Sequence, residues 1–119
     1  MLNLYTHILV HALSGTLGPA EDKLVRAHRW GISAIVLWEL AWLVAAGRIS
    51  LDLDGPDFQY ALTQLHVWPI DLAVARKSSA LDFRSDTADH LIAATSVVHG
   101  VPLLTRDRKI RRSAIVPLT

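Results

Sequence analysis

Short apolar runs alternate along this chain with longer stretches of helical periodicity, and that alternation limits the fold more than any single motif. "LNLY", "WGISA", "HVWPI", "VPLLT" and "AIVPL" are each brief and apolar on both faces. Strands covered on both faces belong to parallel sheets, whose crossover helices enclose them. The segments between supply those helices. In "THILVHALSG", Thr6 can cap a helix that Gly15 helps to end. "GPAEDKLVRAHRW" puts Pro19 in a first turn, with Glu21 and Asp22 near the positive end of the dipole. A strongly apolar helix follows from Ala34 to Ala46, stopped at Gly47, and "RISLDLDGP" reads as a turn region. "DFQYALTQL" is helical, as is "DLAVARKSSALD" with Asp71 as N-cap; "SDTADHLIAATSVVHG" has Gly100 just past its end. "RDRKIRRS" is a basic turn or short helix. The pattern predicts one α/β domain over residues 1–119, with a central parallel sheet of about five short strands flanked by helices. The ligand crevice of such a sheet lies beyond the carboxyl ends of its strands.

Composition narrows the chemistry. Apolar residues make up 51% of the chain and charged residues 19%, which excludes a disordered polypeptide. The net charge of +1 leaves any attraction for nucleic acid to local patches. The absence of cysteine excludes disulfides, thiolate zinc sites and cysteine nucleophiles. The N-terminus does not read as a signal sequence, and the longest apolar run, "ISAIVLWELAWLVAA", is short for a membrane span and carries Glu39 at its centre. A cytoplasmic, non-membrane protein is the expectation.

The acidic residues sit in unusual places. Asp86 and Asp89 are three apart at the start of one helix and share a face. Asp86 is accounted for as a cap, whereas Asp89 lies a turn further in, just before an apolar stripe. Asp107 follows "LLTR" at the end of a strand, where the crevice is expected. Glu39 lies between Trp38 and Trp42 on a helix apolar nearly all round, so it needs a cation, a donor or an open crevice. Three acids gathered from separate elements would repel one another without a divalent cation. Hard oxygen donors suit Mg²⁺ or Mn²⁺, which can polarise a phosphate and activate water for phosphodiester hydrolysis.

The order and wording of these segments resemble the PIN-domain nucleases, in particular the VapC-type ribonuclease toxins of type II toxin–antitoxin pairs. "LYTHILVHALSG" is similar to the family's opening, "ISAIVLWELAWLVAAGRISL" to its glutamate helix, and "DTADHLIAATSVVHGVPLLTRDRKIR" to its later acid motifs. The resemblance implies a Rossmann-like PIN domain and endoribonuclease chemistry dependent on Mg²⁺ or Mn²⁺. It also implies a homodimer, an RNA substrate and neutralisation by a small antitoxin protein. Carried over by position, Glu39, Asp89 and Asp107 match the metal-site acids, with Asp86, Thr6 and Thr105 as secondary positions.

One position departs from the family. Where the first strand ordinarily ends in an aspartate, this chain has Tyr5. A neutral phenol is a poor partner for Mg²⁺, so the expected outcome is weakened metal binding and reduced turnover. The alternative is a catalytically inactive PIN-like module that binds RNA or an antitoxin. Asn3 lies on the same strand face but too deep to substitute.

Three further features bear on partners. His7 and His11 have metal-ligand spacing, but no glutamate accompanies them in a zinc-protease arrangement. Arg106, Arg108 and Lys109 begin a basic run suited to RNA-backbone contact. Trp38 and Trp42 share a helix face, and four tryptophans exceed what so small a core needs, which points to a dimer or antitoxin surface.

Overall fold

The computed structural model describes all 119 residues. Four strands form one parallel sheet: β1 (Leu2–Leu4), β2 (Trp30–Ser33), β3 (His66–Trp68) and β4 (Leu103–Leu104), in the order β3-β2-β1-β4. Every residue of β1 is buried, as expected of a strand covered on both faces. The predicted fifth strand does not form. "AIVPL" contributes a single bridge, Leu118 to Leu103. Pro117 gives its carbonyl to the Leu103 N–H but has no N–H of its own to extend the ladder.

Seven helices accompany the sheet: α1 (Thr6–Ser14), α2 (Pro19–Ala27), α3 (Ala34–Ala45), α4 (Pro56–Gln64), α5 (Leu72–Ser78), α6 (Thr87–His99) and the single turn α7 (Arg108–Arg111). Their ends follow local chemistry. Asp71 accepts from the Val74 N–H at 2.9 Å, Asp86 from the Asp89 N–H at 2.9 Å and Asp107 from the Ile110 N–H at 3.0 Å. At Gly15 and Gly100 the backbone turns left-handed, with φ of 70° and 64°, and releases α1 and α6 into the next segment. Thr6 is not the cap that its position suggested. Tyr5 occupies the N-cap site of α1 without a side-chain bond to the helix, and Thr6 is the first helical residue.

The core joins β1, β2 and β4 to the inner faces of the helices. α6 packs against β1, β2, α3 and α5, and its buried face is rich in small residues, including Ala88, Ala93, Ala94 and Ser96. Small side chains let its axis approach the sheet closely. Asn3, fully buried in β1, donates from Nδ2 to the Ile92 carbonyl at 3.0 Å and to Ser96 Oγ at 2.9 Å, pinning α6 to the central strand. Its own Oδ1 has no partner, a cost of about 1–3 kcal/mol that the packing of this region offsets. On β2, Gly31 lies beneath the Trp68 indole, where a Cβ would come within 2.5 Å of two ring atoms. No helix is long and apolar enough to cross a membrane.

Candidate active site

Strands β1, β2 and β4 deliver the chain directly towards α1, α3 and α7, so their carboxyl ends carry Tyr5, Ser33 and Thr105 to one edge of the sheet. The side chains around Tyr5 are tied by hydroxyl donors. The Tyr5 hydroxyl donates to Asp89 Oδ1, and the Ser85 hydroxyl donates to Asp89 Oδ2. Asp89 is 4% exposed, and its N–H is taken by Asp86, which serves as the cap expected of it. On the other side of Tyr5, the buried Thr6 hydroxyl donates to Glu39 Oε1. Glu39 thus has the donor that its apolar helix demanded.

Burial and crowding shift two of these groups, Glu39 and Tyr5. Loss of solvent pushes the Glu39 carboxyl above its ordinary value; the Thr6 bond works against this, and the nearby Asp89 and Asp86 charges reinforce it. Burial, then the Asp89 bond and charge, pushes the Tyr5 phenol upward, so Tyr5 remains a neutral O–H donor at any physiological pH. Glu39, Asp89 and Asp86 therefore share one electrostatic neighbourhood, with a phenol among them where a fourth acid was expected.

Asp107 plays another part. Its Oδ1 caps α7, and Thr105 Oγ1 accepts its backbone N–H at 3.0 Å. With Tyr5, His7, His11 and Arg106 it lines an open cavity of about 340 Å³. The expected convergence of Glu39, Asp89 and Asp107 on one ion is not formed: no group of three His, Asp or Glu side chains is arranged to hold a metal. The reason is local. Two hydroxyls already engage Asp89, a third engages Glu39, Asp107 is turned to its helix, and Tyr5 supplies no anionic oxygen. With Tyr5 present, the donor set does not fit Mg²⁺ or Mn²⁺.

The basic run is also redistributed. Arg106 is paired in the structure: its Nε and Nη2 form a bidentate pair with Glu21 at 2.7 and 2.6 Å. This pair, ahead of the Gly18 N–H bond, holds the Glu21 carboxyl down at about 2. Arg111 donates to the carbonyls of Thr105 and Thr119. Arg108, Lys109 and Arg112 remain exposed and outside any ion pair. Sequence reasoning missed Ser85; its one signal is a hydroxyl four residues before an acid at a helix start. Trp38 and Trp42 are 56% and 60% exposed and meet edge to face, ring centroids 6.2 Å apart, on the outside of α3.

The PIN domain family model matches residues 4–116. The chain belongs to the PIN-domain family. This PIN domain is 35% identical over 96 residues to Ribonuclease VapC22 of Mycobacterium tuberculosis, covering 77% of this chain and 73% of that protein. Its fold is similar to a chain of the VapBC2 structure from Rickettsia felis, bound to a promoter DNA fragment, with a TM-score of 0.78 at 19% identity over 100% of this chain and 98% of that one. A toxin–antitoxin complex from Klebsiella pneumoniae gives 0.75 at 21% identity, covering 100% and 97%. The expected Rossmann-like PIN architecture is borne out, with four strands in place of about five.

Proposed function

We propose that this chain is a VapC-type ribonuclease toxin of a toxin–antitoxin pair, acting on RNA in the cytoplasm, neutralised by a small antitoxin, and curtailed in hydrolysis by Tyr5. The observation that carries this reading is the proximity of Glu39 and Asp89 at the carboxyl edge of a parallel sheet, Asp89 bonded to Tyr5, where the family has its first aspartate, and Glu39 bonded to the adjacent Thr6. The relationship to Ribonuclease VapC22 supports RNA as the substrate class, and the fold shared with VapBC complexes supports an antitoxin partner. Exposed Arg108 and Lys109 are suited to the RNA backbone. The exposed Trp38–Trp42 pair is suited to a homodimer or antitoxin contact.

Mg²⁺ or Mn²⁺ belongs, in this reading, to a site with an acid at position 5. Such an ion would supply Lewis-acid stabilisation and an activated water. With Tyr5 the chain keeps the fold, the exposed Arg108 and Lys109, and the acids Glu39, Asp89 and Asp107. Its inactive alternative, a module that binds RNA or antitoxin without cutting, is favoured by the Tyr5 hydroxyl on Asp89. The test is cleavage of total RNA in Mn²⁺ by this chain and by Tyr5→Asp. Cutting by Tyr5→Asp alone supports a curtailed nuclease. Failure of both to cut any RNA removes the enzymatic reading.

A further inference from the structure

We propose that Tyr5 and Ser85 form a two-sided hydroxyl clamp that takes the place of a cation at Asp89, so that segment 79–86 is latched over the acid and competes with divalent-ion entry. This inference rests on the reading of Asp89 as a metal-site acid, and it assigns a role to Ser85 and to the segment that carries it.

Both oxygens of Asp89 are engaged, Oδ1 by Tyr5 from the end of β1 and Oδ2 by Ser85 from the segment before α6. A carboxylate has room for more than two partners. At 4% exposure, however, Asp89 has little open space left for an ion that keeps several of its waters. Ser85 is not a loose surface hydroxyl. Its backbone N–H donates to His90 Nε2 at 3.0 Å, while His90 Nδ1 contacts the Ser78 carbonyl at 2.7 Å. A carbonyl only accepts, so Nδ1 carries the proton and Nε2 is left as the acceptor for Ser85. The Phe83 ring packs against His90 with centroids 5.1 Å apart. One imidazole thus ties the end of α5 to the residue that closes on Asp89. The segment is held at both ends, and its hydroxyl takes up Asp89 Oδ2, an oxygen that a divalent ion would otherwise compete for.

A supporting residue and a competing residue respond oppositely, which makes the clamp testable. Mn²⁺ binding to metal-stripped full-length protein is measured by the electron-paramagnetic signal of free Mn²⁺, with melting temperature in parallel. The unaltered chain is expected to melt at the same temperature in chelator and in Mn²⁺, whereas Tyr5→Asp binds Mn²⁺ and melts higher in its presence. Adding Ser85→Ala to Tyr5→Asp is expected to tighten Mn²⁺ binding by roughly tenfold, within the range seen when groups around metal ligands are altered. If Ser85→Ala instead weakens Mn²⁺ binding, Ser85 supports a metal site and the clamp is wrong; tight binding by the unaltered chain overturns it equally. Should Tyr5→Asp bind no Mn²⁺, the metal-site reading itself fails. The clamp is then judged without metal: Tyr5→Phe and Ser85→Ala each lower the melting temperature, and both losses vanish in an Asp89→Ala background. Losses that persist there overturn it.

Discussion

Asn3→Asp tests the polar link between the central strand and α6, because it exchanges a two-proton donor for a carboxyl in a site that water does not reach. In the folded protein, Asn3 Nδ2 faces the Ile92 carbonyl at 3.0 Å and Ser96 Oγ at 2.9 Å, and the residue is fully buried. An ionised carboxylate there would point a negative oxygen at a carbonyl oxygen, with no cation nearby. The carboxyl must therefore fold in its neutral form, with a pKa above the ordinary value of about 3.9. Complete burial raises such values by up to about 3–5, and each whole pH unit corresponds to about 1.4 kcal/mol. At pH 7 only the roughly three pH units between the unfolded value and neutrality count, so the pH-dependent loss there is about 4 kcal/mol, against a total stability of about 5–15 kcal/mol for a domain. The direction follows from proton binding. The folded variant holds a proton that the unfolded chain releases, so its stability is greatest below about pH 4 and declines as pH rises towards the elevated folded value. Even in acid the variant stays below the parent, since a neutral carboxyl has one O–H for two acceptors. Thermal melts by circular dichroism across roughly pH 4 to 8 should show a gap between parent and variant that widens with pH. A gap of constant size over that range would refute the reasoning. Asn3→Leu provides the control, with a pH-independent loss of about 1–3 kcal/mol.

Three other variants have defined outcomes. Gly31→Ala drives a methyl into the Trp68 ring and should cost about 1–3 kcal/mol, read as a fall in denaturation midpoint at unchanged slope. Glu21→Gln removes the charge partner of Arg106; because the Glu21 carboxyl is held near 2, the parent's advantage is present above about pH 4.5 and fades as pH falls towards 2. The pair is solvent-accessible, so that advantage is below about 1 kcal/mol, and chemical denaturation at pH 7 and pH 3 reads the difference. Arg108→Ala with Lys109→Ala should weaken RNA binding in filter retention and reduce the steepness of its salt dependence, while RNA affinity unchanged in low salt would remove these residues from the interface.

Features set by neighbours in sequence were legible in the sequence, and features set by distant partners were not. Asp71 and Asp86 cap their helices, and Gly15 and Gly100 end theirs, because each acts within one helical turn. Glu39 was recognisable as a residue in need of a donor, but its donor is 33 positions away. Thr6 misled for the same reason: a threonine before an apolar helix reads as a cap, and only the tertiary fold shows its hydroxyl turned to α3. The partnership of Tyr5 with Asp89 spans 84 positions and joins the first strand to the sixth helix. Asp107 was assigned to the acid site by position; one of its oxygens caps the short α7, a local use the sequence also allowed, while the residue lines a cavity with Tyr5. The apolar wording of "AIVPL" suggested a strand, and its proline limited it to one bridge.

The arrangement of the four indoles gives the molecule its own optical reporter. Trp68 is enclosed between the His66 and His99 rings, and Trp30 is tied to the Val25 carbonyl, so their surroundings change little while the fold is intact. Trp38 and Trp42 look into water. A binding partner that covers α3 would move their emission to shorter wavelength and shield them from an added quencher, whereas one that settles elsewhere would leave the spectrum as it was. Fluorescence of the unlabelled chain can therefore tell which face a bound molecule has chosen.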